Sequence, residues 1–303
     1  MNESINIKCI VCSNEFIINN EEDYFCSKCG FEYNYKNKKL FFNFKKHLFE
    51  TFGKKFLINQ ALNNNGYLSY LFLKNDSLSV DNRQDVDNFK EFIKENITGK
   101  TILDIGCGIL ERPAYLNFPD IIKYDLIGID PINEGDFKGI KIIGSSEFIP
   151  LPDKSIDNII FATSLDHVIS IKKTIFETGR LLKENGNIFI WMGDRSFKKR
   201  MKDMFANLSF INLINSIKFY IKKFLFFYFN YKLELDNFYS IKLGRYVLYN
   251  NYESFYIPDN SKDQFHSCNE NPEYIKKLFL KSGFKLKKNI YNSSNEVFLN
   301  FIL

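Results

Sequence analysis

Beyond Lys100, short apolar runs alternate with stretches whose apolar positions recur at helical spacing. The runs Thr101–Ile105, Leu126–Ile129, Ile140–Ile143, Asn158–Ala162 and Asn187–Met192 predict buried strands. Ile171 to Leu182 carries Ile171, Ile175, Phe176, Leu181 and Leu182 and predicts a helix, closed by the turn residues Glu184, Asn185 and Gly186. Lys285–Tyr291 and Glu296–Ile302 predict a late hairpin around Asn292–Asn295. Upstream, Val86, Phe89, Phe92 and Ile93 predict a helix over Arg83–Glu95, with Gly99 as its stop. Alternating strands and helices predict an α/β fold, a doubly wound and mostly parallel sheet.

The pattern divides the chain into residues 1–44, a helical connecting segment at 45–98 and a core at 99–303. The core is interrupted by an insertion at about 195–265. From Arg195 to Lys232 there are nine Lys or Arg and one acid, Asp203, a local excess greater than the whole chain's net charge of +5, so the basic character is concentrated there. Phe205, Leu208, Ile211, Ile214, Ile217, Ile221, Phe224, Leu225 and Tyr228 make an apolar stripe, which predicts a basic amphipathic helix. Such a helix suits a lid over the core, a grip on substrate or a peripheral contact with an anionic membrane surface.

Composition adds bounds. Apolar content of 45% and charged content of 25% are those of a soluble globular protein. No run reaches the roughly 18 apolar residues of a membrane span, and no leader pattern opens the chain. The expected compartment is the cytoplasm, extending to the inner face of the membrane if the insertion docks there. Six cysteines in a reducing compartment point to metal binding or burial before disulfides.

Four of those cysteines form two pairs, Cys9-x-x-Cys12 and Cys26-x-x-Cys29, separated by 13 residues. Two such turns supply the four thiolates of a tetrahedral structural zinc site, a zinc ribbon. A closed site of four thiolates leaves no position for catalysis, so the zinc is expected to organise a segment too small to fold alone.

The chemistry of the core starts at Thr101–Gly108, an apolar strand ending in Asp104-x-Gly106-x-Gly108. Glycines there let backbone approach a ligand. The third glycine of a dinucleotide loop is absent, and no phosphate-cradling P-loop occurs. A second strand closes on Asp130, 22 residues past Gly108, where doubly wound sheets place an acid on ribose hydroxyls. Ile149-Pro-Leu-Pro-Asp-Lys-Ser-Ile-Asp157 precedes the fourth strand, and Ser164-Leu-Asp-His-Val168 follows it. Arg180–Asn187 and Ser282-Gly-Phe284 complete an ordered set. In these motifs the chain resembles class I, Rossmann-like S-adenosylmethionine-dependent methyltransferases of the methyltransferase 11 type, over roughly 99–192 and 272–303.

The resemblance implies a seven-stranded sheet and a cofactor pocket at the strand ends for S-adenosyl-L-methionine. Asp104, Gly106, Cys107 and Gly108 would line its methionine part, Asp130 its ribose, and Ser145, Ser146 and Glu147 its adenine. Thr163 and Ser164 would close the pocket. Ser145 stands where the family usually has Asp, and Leu110 where a further Gly is frequent. Candidate catalytic residues are Asp166 and His167 after the fourth strand, and His266 before the last helix.

The favoured function is methyl transfer to a small-molecule or glycan-type acceptor of a sugar or surface-polysaccharide pathway. One alternative is an rRNA or tRNA base methyltransferase that grips RNA through the ribbon, with Phe41, Phe42 and Phe44 among Lys36, Lys38, Lys39, Lys45 and Lys46. Packing of those rings on the core is the preferred reading of them. Another alternative is a non-catalytic protein that binds cofactor or a partner.

Overall fold

The computed structural model describes residues 4–20, 22–53, 55–57, 59–60, 80–194, 271–292 and 296–303, together with the backbone of strands at 234–235, 238–241, 245–250 and 253–257. Ten strands of the described residues form one sheet, in the order β15 (Lys285–Tyr291), β16 (Glu296–Ile302), β10 (Leu182–Gly193), β9 (Ile156–Ala162), β6 (Thr101–Ile105), β7 (Asp125–Asp130), β8 (Ile140–Ile143), β5 (Lys39–Phe42), β4 (Glu32–Lys36) and β3 (Asp23–Phe25). Its centre is β6 (Thr101–Ile105), β7 (Asp125–Asp130), β8 (Ile140–Ile143), β9 (Ile156–Ala162) and β10 (Leu182–Gly193), all parallel. The late hairpin β15 (Lys285–Tyr291) and β16 (Glu296–Ile302) adds antiparallel to β10. These seven strands are the predicted core. The chain winds from β6 outward through β7 and β8, then returns to lay β9 on the other side of β6. That reversal makes a crevice at the carboxyl ends of β6 and β9.

Strict alternation along the strands sends their side chains to two cores. Leu103, Ile105, Ile129, Ile159, Phe161 and Ile190 face one layer. There they meet α3 (Ile171–Leu181) through Ile171, Ile175 and Leu181, and α4 (Pro272–Lys281) through Ile275 and Phe279. Ile102, Leu126, Ile160, Phe189, Trp191 and Phe298 face the other. That layer is closed by α2 (Val86–Lys94), which buries Val86, Phe89, Phe92 and Ile93 as its helical spacing requires. Each such aromatic contributes about 2–3 kcal/mol of burial. The predicted turn after α3 lies inside β10. Pairing jumps from Leu182↔Ile156 to Asn187↔Asn158, with Asn185 at φ 62 in between.

The remaining sheet strands come from the N-terminal segment. β1 (Ile5–Lys8) and β2 (Glu15–Ile18) form a separate two-stranded ribbon. β3 (Asp23–Phe25), β4 (Glu32–Lys36) and β5 (Lys39–Phe42) continue the main sheet, β5 lying parallel to β8. The cysteine segment is thus built onto the edge of the core sheet, which extends it from seven strands to ten. The Ile149–Asp157 run secures this junction. Lys8 donates its backbone N–H to Pro150 O at 3.3 Å and its Nζ to Asp153 at 2.6 Å, and Arg180 from α3 reaches the same carboxylate at 2.7 Å. α1 (Phe44–Phe52) then packs Phe44 and Leu48 against Ile143 and Ile169.

The basic amphipathic helix expected at 205–228 lies outside the described residues. The described residues of the later part of the insertion are strands and not helix. Residues 234–257 hold a four-stranded antiparallel sheet, β11 (Glu234–Leu235), β12 (Phe238–Ile241), β13 (Arg245–Asn250) and β14 (Glu253–Ile257). Phe, Tyr, Val and Ile dominate β12–β14, and residues of that type favour strands over helix. No helix among the described residues is long and apolar enough to cross a membrane.

Candidate functional site

The crevice at the β6–β9 switch is shaped by two glycines with different neighbours. Gly106 has φ 82, and a Cβ there would meet Ser164 Cβ at 2.4 Å. Its N–H donates to Ile129 O at 2.8 Å. Ser164 in turn donates its hydroxyl to Ile105 O at 2.5 Å, closing β9 onto the end of β6. Gly108 has φ 65, and a Cβ there would meet nothing within 4 Å. The backbone is thus left bare toward open space at Gly108, as close approach of a ligand requires.

Asp104, inside the same turn, is fully buried. Tyr115 donates to its Oδ2 at 2.8 Å. Its Oδ1 is buried and, among the described residues, has no hydrogen-bond partner. Burial pushes its carboxyl up to about 7, against the lowering effect of Tyr115. A buried acceptor left unmatched costs about 1–3 kcal/mol, which a ligand's donor would recover. Asp130 ends β7 and accepts the N–H groups of Gly108 and Ile132, each at 2.9 Å. Burial raises its pKa, opposed by those two bonds and by the nearby Lys141 ammonium. The Cys107 side chain points away from the turn into the core beside Phe137, where burial raises its thiol well above the usual range.

At the end of β8, Ser145 and Ser146 both donate to Glu147 Oε2. Glu147 Oε1 accepts the N–H groups of Ile169 at 2.6 Å and Ser170 at 2.9 Å. Expected beside the adenine, Glu147 is instead turned inward, where it braces the loop leading into α3 and favours that helix's N-terminus. Ser145 keeps its place at the strand end. Thr163 sits past β9 at φ 57, its N–H bonded to Trp191 O at 2.9 Å.

Asp166 and His167 follow. His167 Nε2 lies 3.6 Å from Asp166 Oδ1, and its ring is about one-third exposed (35%). Both backbone groups of His167 are held, the N–H by Ser164 O at 3.1 Å and the carbonyl by Asn59 Nδ2 at 2.7 Å. His167 is also near enough to Asp130 to lower that acid's pKa. His167 thus adjoins Asp130. His266 lies outside the described residues.

Tyr115, Lys141 and Asn59 support this site without having been foreseen. Tyr115 and Asn59 lie in stretches with no periodic signal. Lys141 had one, a lysine inside the strand Ile-Lys-Ile-Ile that is buried on both faces.

The four cysteines of the N-terminal segment converge, their sulfurs all within 4.8 Å of one another. Cys9 and Cys29 are 3.6 Å apart and Cys12 and Cys26 are 3.4 Å apart. Tetrahedral zinc with bonds of about 2.3 Å needs sulfur separations of about 3.8 Å, so the set fits that ion. The two knuckles repeat one backbone device. Ser13 N–H donates to Cys9 O at 2.9 Å and Gly30 N–H to Cys26 O at 2.7 Å, with positive φ at both Ser13 (62) and Gly30 (72). Tyr33, fully buried among Phe16, Phe31 and Phe42, accepts the Ile10 N–H at 3.0 Å and ties the first knuckle to the sheet.

A sequence profile of a family described as a methyltransferase domain matches residues 79–288. An uncharacterized protein of Methanocaldococcus jannaschii is 32% identical over 105 residues, 34% of this chain; the match spans 40% of that protein's length. Among solved structures, Burkholderia thailandensis 1,6-didemethyltoxoflavin-N1-methyltransferase, with bound 1,6-didemethyltoxoflavin and S-adenosylhomocysteine, aligns at TM-score 0.47 and 7% identity, covering 93% of this chain and 98% of that one. A SAM-dependent methyltransferase of Archaeoglobus fulgidus aligns at TM-score 0.45 and 14% identity, covering 77% of this chain and 100% of that one.

Proposed function

The chain belongs to the methyltransferase domain family, and from that premise we propose that it transfers the methyl group of S-adenosylmethionine to a small-molecule or glycan-type acceptor. The observation that carries the cofactor reading is the pairing of a bare Gly108 backbone with the unmatched Oδ1 of buried Asp104. Asp104 would hold the ammonium of an amino acid tail and the bare Gly108 turn would take its chain. Asp130 keeps lone pairs beyond those used by Gly108 and Ile132 and would accept the ribose hydroxyls. The strand end at Ser145 would face the adenine.

S-adenosylmethionine supplies, when bound, a methyl group made electrophilic by its sulfonium. The residues have the remaining tasks. His167, with Nε2 3.6 Å from Asp166 Oδ1 and held through both backbone groups, is placed to take a proton from an acceptor hydroxyl or amine. Thr163 and Ser164 hold the wall between acceptor and cofactor ends. The tight Gly106–Ser164 contact keeps that wall close to the methionine site.

Packing of the aromatic residues after the ribbon supports a small acceptor over RNA. Phe44 is buried, and Phe41 and Phe42 pack with Ile143, Leu48 and Phe148 instead of standing out as a stacking platform. The zinc-ribbon cysteines have a structural task in this reading. Incubation of the zinc-loaded chain with methyl-labelled S-adenosylmethionine and cell extract should label a low-molecular-weight or glycan fraction. The label should fall at least tenfold with His167→Ala. Label appearing in rRNA or tRNA instead would overturn the acceptor assignment.

A further inference from the structure

Lys141 is almost completely buried (1% exposed) among the isoleucines of β8. Burying an ammonium costs several kcal/mol unless its donors are well met. Its Nζ donates to Gly108 O and to Glu134 O, each at 2.7 Å. The Gly108 N–H goes to Asp130 Oδ2. Gly108 is therefore held at both of its backbone groups, by an ammonium on one side and a carboxylate on the other.

The segment carrying Glu134 braces the rest of the same loop. Gly135, at φ 82, lies so close to Ile109 that a Cβ would meet Ile109 O at 2.0 Å. Lys138 N–H donates to Glu111 O at 2.7 Å. This bracing stands where the chain has Leu110 in place of a frequent family glycine. A loop less adaptable in sequence is fixed from behind by a buried cation.

The brace is anchored at β5, the strand of the N-terminal segment that pairs with β8. Lys141 N–H donates to Lys38 O at 2.8 Å, and Lys39 on β5 is its register partner. Lys39 Nζ donates to Asn133 O at 3.1 Å and pairs with Asp136 at 3.5 Å. A continuous path of hydrogen bonds runs from β5 through 133–141 to Gly108.

We propose that Lys141 is a positioning residue for the Gly108 turn, and that strand β5 of the metal-organised N-terminal segment holds it in place. The N-terminal segment thereby becomes part of the cofactor site's construction. The consequence for binding rests on the cofactor reading above; the bracing itself does not.

Hydrogen exchange of the zinc-loaded, ligand-free full chain tests it. Lys141→Met should speed exchange over 106–111 by about tenfold while β9 and β10 stay protected as in the parent. S-adenosylhomocysteine affinity should fall by about the same factor, because the turn must be ordered again on binding. If Lys141→Met lowers protection throughout the core, Lys39→Met decides. At that partly exposed position, faster exchange confined to 133–141 and 106–111 supports the path, and unchanged exchange there overturns it. Unchanged exchange over 106–111 in a folded Lys141→Met chain also overturns it. A parent chain that binds no S-adenosylhomocysteine would remove the cofactor reading, while the exchange result would still decide the brace.

Discussion

The Gly108 N–H donates to Asp130 Oδ2 at 2.9 Å, linking the turn after β6 to the acid that ends β7. One side chain thus fixes the glycine turn and, in the proposed function, offers its remaining lone pairs to a ligand. Asp130→Ala removes both functions. It should lower S-adenosylhomocysteine affinity at least tenfold and cost about 1–3 kcal/mol of stability through the two N–H groups left behind. Asp130→Asn keeps one acceptor and should fall between. Calorimetry with parallel urea unfolding separates the two losses.

The two glycines of the turn should respond differently to alanine. At Gly106 the methyl would collide with Ser164, so Gly106→Ala should destabilise the fold by several kcal/mol, about 3 or more with its positive φ. At Gly108 the methyl enters open space, and the strain of φ 65 alone costs about 1–2 kcal/mol. Gly108→Ala should therefore melt near the parent while losing cofactor affinity. A Gly108→Ala chain that binds as well as the parent would show that this surface does not face the ligand.

Asp104 couples function to an instability. Burial raises its pKa from 3.8 to about 7, so the folded state holds that proton more tightly than the unfolded chain. Its contribution is fully favourable below about pH 4 and is lost as pH rises toward 7. Asp104→Asn removes the charge and keeps an acceptor for Tyr115. It should be more stable than the parent at pH 8, by about 1–3 kcal/mol, with no advantage at pH 4. It should also bind S-adenosylhomocysteine more weakly, having no charge for the ammonium. Urea midpoints across that pH range provide the check, and a loss of stability equal at both ends would contradict it.

In the ribbon, Ser13 occupies the left-handed position that Gly30 fills in the second knuckle. Ser13→Gly should hold zinc at least as tightly and stabilise the segment by up to about 1 kcal/mol. Gly30→Val should weaken it by more, because a β-branched residue is strained there. Zinc release to a chromophoric chelator orders the three chains.

The seven core strands were legible because both sheet faces are covered, which writes each strand as an apolar run. The cysteine cluster was legible because its spacing is local. The edge extension was not. β5 pairs with β8 across about a hundred residues of chain, and nothing in Lys39-Leu-Phe-Phe42 names that partner. Glu147 sat at the expected strand end, yet its carboxylate serves amides 22 and 23 residues later, a relation only the folded loop creates. The Tyr115–Asp104 bond likewise comes from tertiary placement. In the insertion, the strands at 234–257 were overshadowed by the stronger helical stripe before them.

The proposed function requires the turn at Asp104–Gly108, with Asp130, to hold S-adenosylmethionine. Titration of the zinc-loaded full chain with S-adenosylhomocysteine tests it most directly. Saturable binding of one molecule per chain is expected, weakened at least tenfold by Asp130→Ala in a chain that remains folded. No binding to the parent chain, or binding indifferent to Asp130, would contradict it.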